Sequence, residues 1–175
     1  MIIKGILFIV LSLVIVMKFR KELFSFERHG PYMFVAAEGL LFLFVANGGA
    51  MFQTPLGTRQ VFSWLLMLIS AGLAGLGFYG LRRHGQAVGD WENTTRLVRE
   101  GVFAYIRHPL YVSLMFLAMG MLLKEITPQA AVACLVTLVF LVTASMVEEQ
   151  ENRAKFGAPY DAYAIRTKRY LPFIV

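Results

Sequence analysis

Charge is what this chain has least of. Its 175 residues carry 16% charged side chains against 58% hydrophobic ones; a soluble domain runs roughly 25% and 45–50%. With a mean hydropathy of +0.63, such a chain does not live wholly in water. Cysteine is nearly absent: Cys134 stands alone inside an apolar run. That excludes an intrachain disulfide, leaves the redox compartment open, and reads as a small buried hydrophobe. Acid is short too, with 11 Asp and Glu facing 17 Lys and Arg. The net charge of +6 does not mark a nucleic-acid binder, because the basic residues form no single patch. They stand in the gaps between apolar runs, where lipid headgroups and topology account for them. No linker, low-complexity tract or internal repeat divides the chain, and its length suits one domain.

What the chain has is long apolar runs, at 2–17, 32–52, 61–81, 110–123 and 129–147. The basic cluster Lys18, Arg20 and Lys21 follows the first run, and no small-residue cleavage site precedes it. The run therefore reads as a retained span rather than a signal peptide. Turn signals at Gly30-Pro31, Thr54-Pro55-Leu56-Gly57 and Thr127-Pro128 separate the others. The fourth run is short for a crossing of roughly 20 residues, so runs four and five read as a helical hairpin. All but three of the 17 lysines and arginines fall on one face of this arrangement; Lys4, Arg59 and Lys124 fall on the other. The positive-inside rule then places the N-terminus outside and the 18–31 loop, the 82–109 loop and the tail in the cytoplasm. The expected fold is all-α and integral to the membrane, with about five spans. Residues 1–88 form a three-span scaffold. Residues 89–175 form the hairpin half with a cytoplasmic helical lid. Ala71, Gly72, Ala74, Gly75, Gly77 and Gly80 in the third span favour close helix packing; a wall thinned for a lipid chain is the other reading.

Ionisable and aromatic residues concentrate at the two cytoplasmic ends of the hairpin, at 89–111 and 148–172. Pro109 suits the first position of a helix. The start of that helix carries partial positive charge and favours an anion such as a carboxylate. His108 and Tyr111, three apart, share a face there; Arg107 precedes them. Glu148 and Glu149 close the fifth helix, where acid opposes the macrodipole. That makes them candidates to bind an ammonium or accept from hydroxyls, set against plain solvation of a helix continuing into water. Tyr160, Tyr163, Arg166 and Arg169 populate the tail, where arginine suits carboxylate or phosphate. Glu38 lies inside the second span, close enough to Pro31 to reach the interface. His29 and His84 read as solvent-facing loop residues. Metal-ligand spacing, a nucleophile elbow and a phosphate-binding glycine loop are not found.

The order of these residues is distinctive. Gly-x-x-Trp leads into Leu97-Val98-x-x-Gly101-x-Phe103-x-x-x-Arg107-His108-Pro109-x-Tyr111. After the hairpin come Glu148-Glu149, then Phe156-Gly157-x-x-Tyr160-x-x-Tyr163-x-x-Arg166-x-x-Arg169-x-x-Pro172. Over residues 89–172 the chain resembles the isoprenylcysteine carboxyl methyltransferase family, with its small prokaryotic relatives and the related phospholipid methyltransferases. It departs from the pattern at Val102-Phe103, where Pro-Tyr is common, and at Asn152, where leucine is common.

The resemblance implies a cytoplasm-facing pocket for S-adenosylmethionine. It puts Arg107, His108, Pro109, Tyr111, Glu148 and Glu149 at the cofactor. It puts Tyr160, Tyr163, Arg166 and Arg169 toward the substrate, with Tyr163, Arg166 and Arg169 in the catalytic role. The implied partner is a lipophilic or prenylated small molecule, or a membrane lipid, entering sideways from the bilayer. The implied reaction is most like carboxyl O-methylation of an isoprenylcysteine; phospholipid N-methylation and thiol S-methylation are alternatives. Two readings of other classes are a NADPH-dependent lipid or sterol reductase on a comparable scaffold, and a non-enzymatic protein whose basic residues merely anchor headgroups.

Overall fold

A computed structural model describes residues 2–20, 23–24, 27–53, 57–86 and 94–171. Lys21, Thr54-Pro55-Leu56, Gly89-Asp90-Trp91 and Pro172 lie outside the described residues. Six α-helices appear among those described: α1 Ile2–Phe19, α2 Gly30–Asn47, α3 Thr58–His84, α4 Pro109–Leu122, α5 Pro128–Phe156 and α6 Ala158–Arg166. Short 3-10 turns occupy Gly48–Ala50 and Gly101–Ala104. The chain is an all-α membrane protein. Four helices, α1, α2, α3 and α5, have the length and apolarity to cross a bilayer. The 14-residue α4 is apolar but short, about 21 Å at 1.5 Å per residue.

Pairing follows the small residues. The two most extensive helix contacts are α3 with α4 and α2 with α5; α4 joins α5 and α2, and α1 leans on α2. Gly77 lets α3 lie against Pro109 and Leu110 at the start of α4, and Gly80 lies against the Phe103 ring. Gly72 and Gly75 face open space. The small residues of the third span are therefore divided, and only part of them serve packing. Leu43, Ala118, Met121, Ala130 and Cys134 form one buried cluster; Ala36, Tyr111, Leu141 and Ala144 form another. Cys134 is a core residue. Within α1–α2, the Ser12 hydroxyl donates to Glu38 Oε1 at 2.9 Å, so the intramembrane acid pins two helices together.

Helix α4 stops early because other helices take over its last carbonyls. A helix end leaves four C=O groups without partners, and in lipid no water replaces them. Ser63 Oγ donates to Gly120 O at 2.7 Å, and Asn47 Nδ2 donates to Met121 O at 2.8 Å and Glu125 O at 2.9 Å. Gln60 Nε2 donates to Lys124 O at 3.0 Å. Lys124, counted in sequence as a loop charge, is 0% exposed. Its ammonium sits 3.7 Å from the centre of the Trp64 ring, a cation–π contact. The chain then turns into α5, whose cap is Thr127 Oγ1 accepting from Ala130 N at 3.1 Å.

Helix α5 corrects the sequence reading at its other end. Glu148 and Glu149 do not close it; the helix runs on to Phe156. Residues 148–155 are good helix formers, and apolar periodicity is not needed once the helix leaves the core. It stops at Gly157, whose φ of +60° is accessible to glycine at little cost. That reversal starts α6 and folds it back onto the bundle.

Candidate active site

At the end of the bundle opposite Lys124, three chain segments converge. Residues 105–108 lead into α4, the overrun of α5 brings Glu149, and residues 167–170 return from α6. The first and third lie side by side through a parallel bridge between Ile106 and Lys168. Arg107 N donates to Lys168 O at 2.8 Å, His108 N to Arg169 O at 3.2 Å, and Lys168 N to Tyr105 O at 3.3 Å. The Tyr163 hydroxyl donates to Phe103 O at 2.7 Å and locks α6 to the same segment.

The centre is the Glu149 carboxylate, whose residue is 4% exposed. Its Oε1 accepts from Arg107 Nε at 2.9 Å and Arg169 Nε at 3.1 Å, and lies 3.3 Å from His108 Nε2. Its Oε2 accepts from Arg169 Nη2 at 2.7 Å. Arg169 thus grips the carboxylate with two N–H groups, the strong geometry for this pair. Arg107 is fixed separately: its Nη1 donates to Ala164 O at 2.8 Å and to Thr167 O. The His108 ring stands edge-on to Tyr111, 5.3 Å between centroids, with Tyr170 on another side at 6.3 Å. The His108 side chain does not cap the start of α4.

Tyr160 and Tyr163 wall the cluster from α6. Burial pushes the Tyr163 hydroxyl up to about 12. Burial, reinforced by the negative charge of Glu149, holds Tyr160 above its ordinary value. Both are neutral hydroxyls at physiological pH. Tyr163 spends its proton on Phe103, whereas Tyr160, 1% exposed, has a hydroxyl without a hydrogen-bond partner among the described residues. An unmade hydrogen bond at a buried hydroxyl costs free energy, so this group fits a site that receives a ligand. Glu148 is half-buried, and its carboxylate takes one long contact, 3.5 Å from Asn152 Nδ2.

The structure brings Arg107, His108, Pro109, Tyr111, Glu149, Tyr160, Tyr163 and Arg169 to one place. It does not bring Arg166, which is exposed on the last turn of α6 with no ion pair or side-chain hydrogen bond among the described residues. The two histidines expected in solvent are engaged instead. His29 Nδ1 pairs with Glu151 Oε2 at 2.9 Å while its backbone N–H donates to Oε1 at 2.8 Å, and His84 Nδ1 lies 3.2 Å from Glu100. A cleft of about 440 Å³, lined by none of the cluster residues, opens between the end of α3, residues 95–100 and the α5–α6 corner. Leu97, Val98, Phe156 and Pro159 supply apolar wall; Arg96 and Arg99 supply positive charge, and Glu100 supplies negative charge beside His84. Of these, Leu97, Val98 and Phe156 stood in the sequence pattern without being singled out as site residues.

A buried ionic cluster at one end of an all-α bundle of membrane-length helices defines an integral membrane protein with an enclosed polar site. A profile of the phospholipid methyltransferases matches residues 58–158, more than half of the chain, and the chain belongs to that family. It is a membrane methyltransferase directed at lipid-type molecules. The matched segment starts earlier than the resemblance read over 89–172. It takes in α3, and it ends before most of α6. No curated protein and no solved structure matches the chain.

Proposed function

We propose that this chain transfers a methyl group from S-adenosylmethionine to a lipophilic acceptor at the membrane–cytosol boundary. The observation that carries the reading is the Glu149 cluster: a buried carboxylate, the uncapped start of α4 and an unpartnered Tyr160 hydroxyl within one site. These groups fit a zwitterionic amino-acid end. Carboxylates suit its ammonium, and a helix start with adjacent guanidinium suits its carboxylate. The apolar cleft walls at Leu97, Val98, Phe156 and Pro159 suit a flat hydrophobic ring system.

S-adenosylmethionine supplies an electrophilic methyl that needs only an in-line acceptor. The protein's part is then binding, alignment and exclusion of water. Arg107 and Arg169 hold Glu149 and orient His108. Tyr163 clamps α6 over residues 103–107, keeping the tail closed on the site. Arg166, set apart from the cluster, takes no catalytic part in this proposal and meets headgroups or solvent. The acceptor is a lipid; the cations around the site favour one with an acidic group, a carboxyl as in an isoprenylcysteine or a phosphoryl as in a phospholipid.

The bundle is read as five crossings with the N-terminus outside and the Glu149 end in the cytoplasm, α4 contributing the short crossing. Titration calorimetry of detergent-purified protein with S-adenosylmethionine tests the cofactor. Micromolar binding that His108→Ala weakens at least tenfold is expected; no heat at millimolar ligand sinks the reading. Mass spectrometry of lipid extract incubated with isotope-labelled S-adenosylmethionine then identifies the acceptor.

A further inference from the structure

Helix α1 buries none of its residues and leans on α2. The Phe8 ring meets Phe42 edge-on at 6.2 Å, and Ser12 bonds Glu38. Toward the Lys124 end of the bundle the two helices leave a groove of about 500 Å³ between them. Leu7 and Leu11 of α1 and Leu40, Leu41 and Phe44 of α2 supply its apolar wall. From Leu40 to Gly49 that wall runs about 14 Å at 1.5 Å per residue, close to half of a hydrocarbon core about 30 Å thick. Gly48 and Gly49 line the mouth and hold it open. A Cβ at Gly48 would meet nothing within 4 Å, and one at Gly49 would meet the Lys4 ammonium at 3.8 Å.

That mouth carries a cation. A lysine near the end of a membrane helix ordinarily snorkels out to the headgroups. Lys4 instead bends onto α2, where its Nζ donates to Ala46 O at 2.7 Å. Ala46 lies in the last turn of α2, where carbonyls lack helical partners. The bond uses one of three N–H donors and fixes an exposed ammonium across the mouth. An apolar helix entering the groove would leave this charge without a counter-ion. A phospholipid meets both parts, with a chain for the walls and a phosphoryl oxygen for the ammonium. We infer that the groove is a phospholipid site: one acyl chain lies between α1 and α2, and the phosphoryl group meets Lys4. A net anionic headgroup is preferred, because a zwitterionic one brings its own cation. This lipid staples α1 to the bundle. It is not the methyl acceptor, since the groove and the Glu149 cluster lie at opposite ends, and its binding is independent of the methyl donor.

Native mass spectrometry of the delipidated protein in detergent provides the test, with phosphatidylglycerol and phosphatidylcholine of matched chains as probes. Wild type is expected to take up a first phosphatidylglycerol about fivefold more tightly than phosphatidylcholine, the preference that one lysine gives for one added negative charge. Its melting temperature should rise with that lipid. Lys4→Met, which keeps the length and drops the charge, should bind the two lipids alike, and Lys4→Arg should keep the preference. Gly48→Leu, which fills open space in the groove, should weaken both lipids. Melting in lipid-free detergent identifies a variant that does not fold, and Gly48→Leu decides by itself if Lys4→Met is one. The assignment is overturned if wild type shows no preference, if Lys4→Met keeps it, or if Gly48→Leu binds both lipids as wild type does. A two-chain species that Gly48→Leu breaks apart gives the groove to a second copy and overturns it likewise.

Discussion

The two ends of α4 solve the same problem in opposite ways. At its C-terminus, three neutral side chains and one lysine surround backbone carbonyls, and Ser63, Asn47 and Gln60 each spend donors on the main chain. At its N-terminus the His108 side chain does not cap the helix; Arg107, His108 and Arg169 converge on the Glu149 carboxylate, and Arg107 and Tyr163 also reach backbone carbonyls. In a bundle set in lipid, polar groups that serve the fold finish on backbone. Polar groups gathered around a charge, with a hydroxyl left over, cost stability unless they have a task. The contrast lies in where the bonds go rather than in residue type: Asn47 and Glu149 are both buried and polar, yet Asn47 finishes on main-chain carbonyls and Glu149 on charged side chains, and each end keeps one polar atom unpaired among the described residues, Gln60 Oε1 and the Tyr160 hydroxyl.

Substitutions at the two ends should therefore differ in kind. The largest effect is expected for Glu149→Ala, which strands two guanidiniums. Breaking a buried ion pair from one side costs about 3–5 kcal/mol, and donor binding should fall by more than about a hundredfold, read by calorimetry and thermal unfolding. Next comes Asn47→Ala, which leaves Met121 O and Glu125 O without their donor, at about 1–3 kcal/mol. Its melting temperature should fall while S-adenosylhomocysteine affinity holds. A loss of affinity comparable to the Glu149 variant would erase the distinction between the two ends.

The smallest effect concerns Tyr163. Its hydroxyl titrates near 12 in the folded chain and near 10 when unfolded, so ionisation favours the unfolded state. Stability is unaffected by this group below about pH 10, declines as pH rises from 10 to 12, and levels off above. Tyr163→Phe should flatten part of that decline in an unfolding series across alkaline pH. It should also cost about 1 kcal/mol at neutral pH for the lost bond to Phe103 O.

Much of this arrangement is legible in the chain itself, and the failures have physical causes. The hairpin follows from two apolar runs around a Thr-Pro turn, and Arg107-His108-Pro109 announces a helix start. The overrun of α5 is hidden because hydropathy ends at Val147 while helix propensity does not. Arg166 and Arg169 look alike in sequence. They part only because α6 ends at Arg166 and Thr167 turns the chain extended, which carries Arg169 back to the bundle and leaves Arg166 in solvent. Lys124 reads as a loop charge because a turn ordinarily surfaces; here the Trp64 ring lies against its ammonium and Gln60 holds its carbonyl.

The parallel pairing of residues 105–108 with 167–169 has a consequence in time. The bonds that complete the site join positions about 60 apart, such as Arg107 to Thr167 and Phe103 to Tyr163. During synthesis, every helix long and apolar enough to cross the bilayer is made before Arg169 exists to meet Glu149. The bundle is therefore assembled before it is armed. A chain that ends at residue 160 keeps the apolar helices that hold it in the bilayer and lacks the Arg169 that grips Glu149.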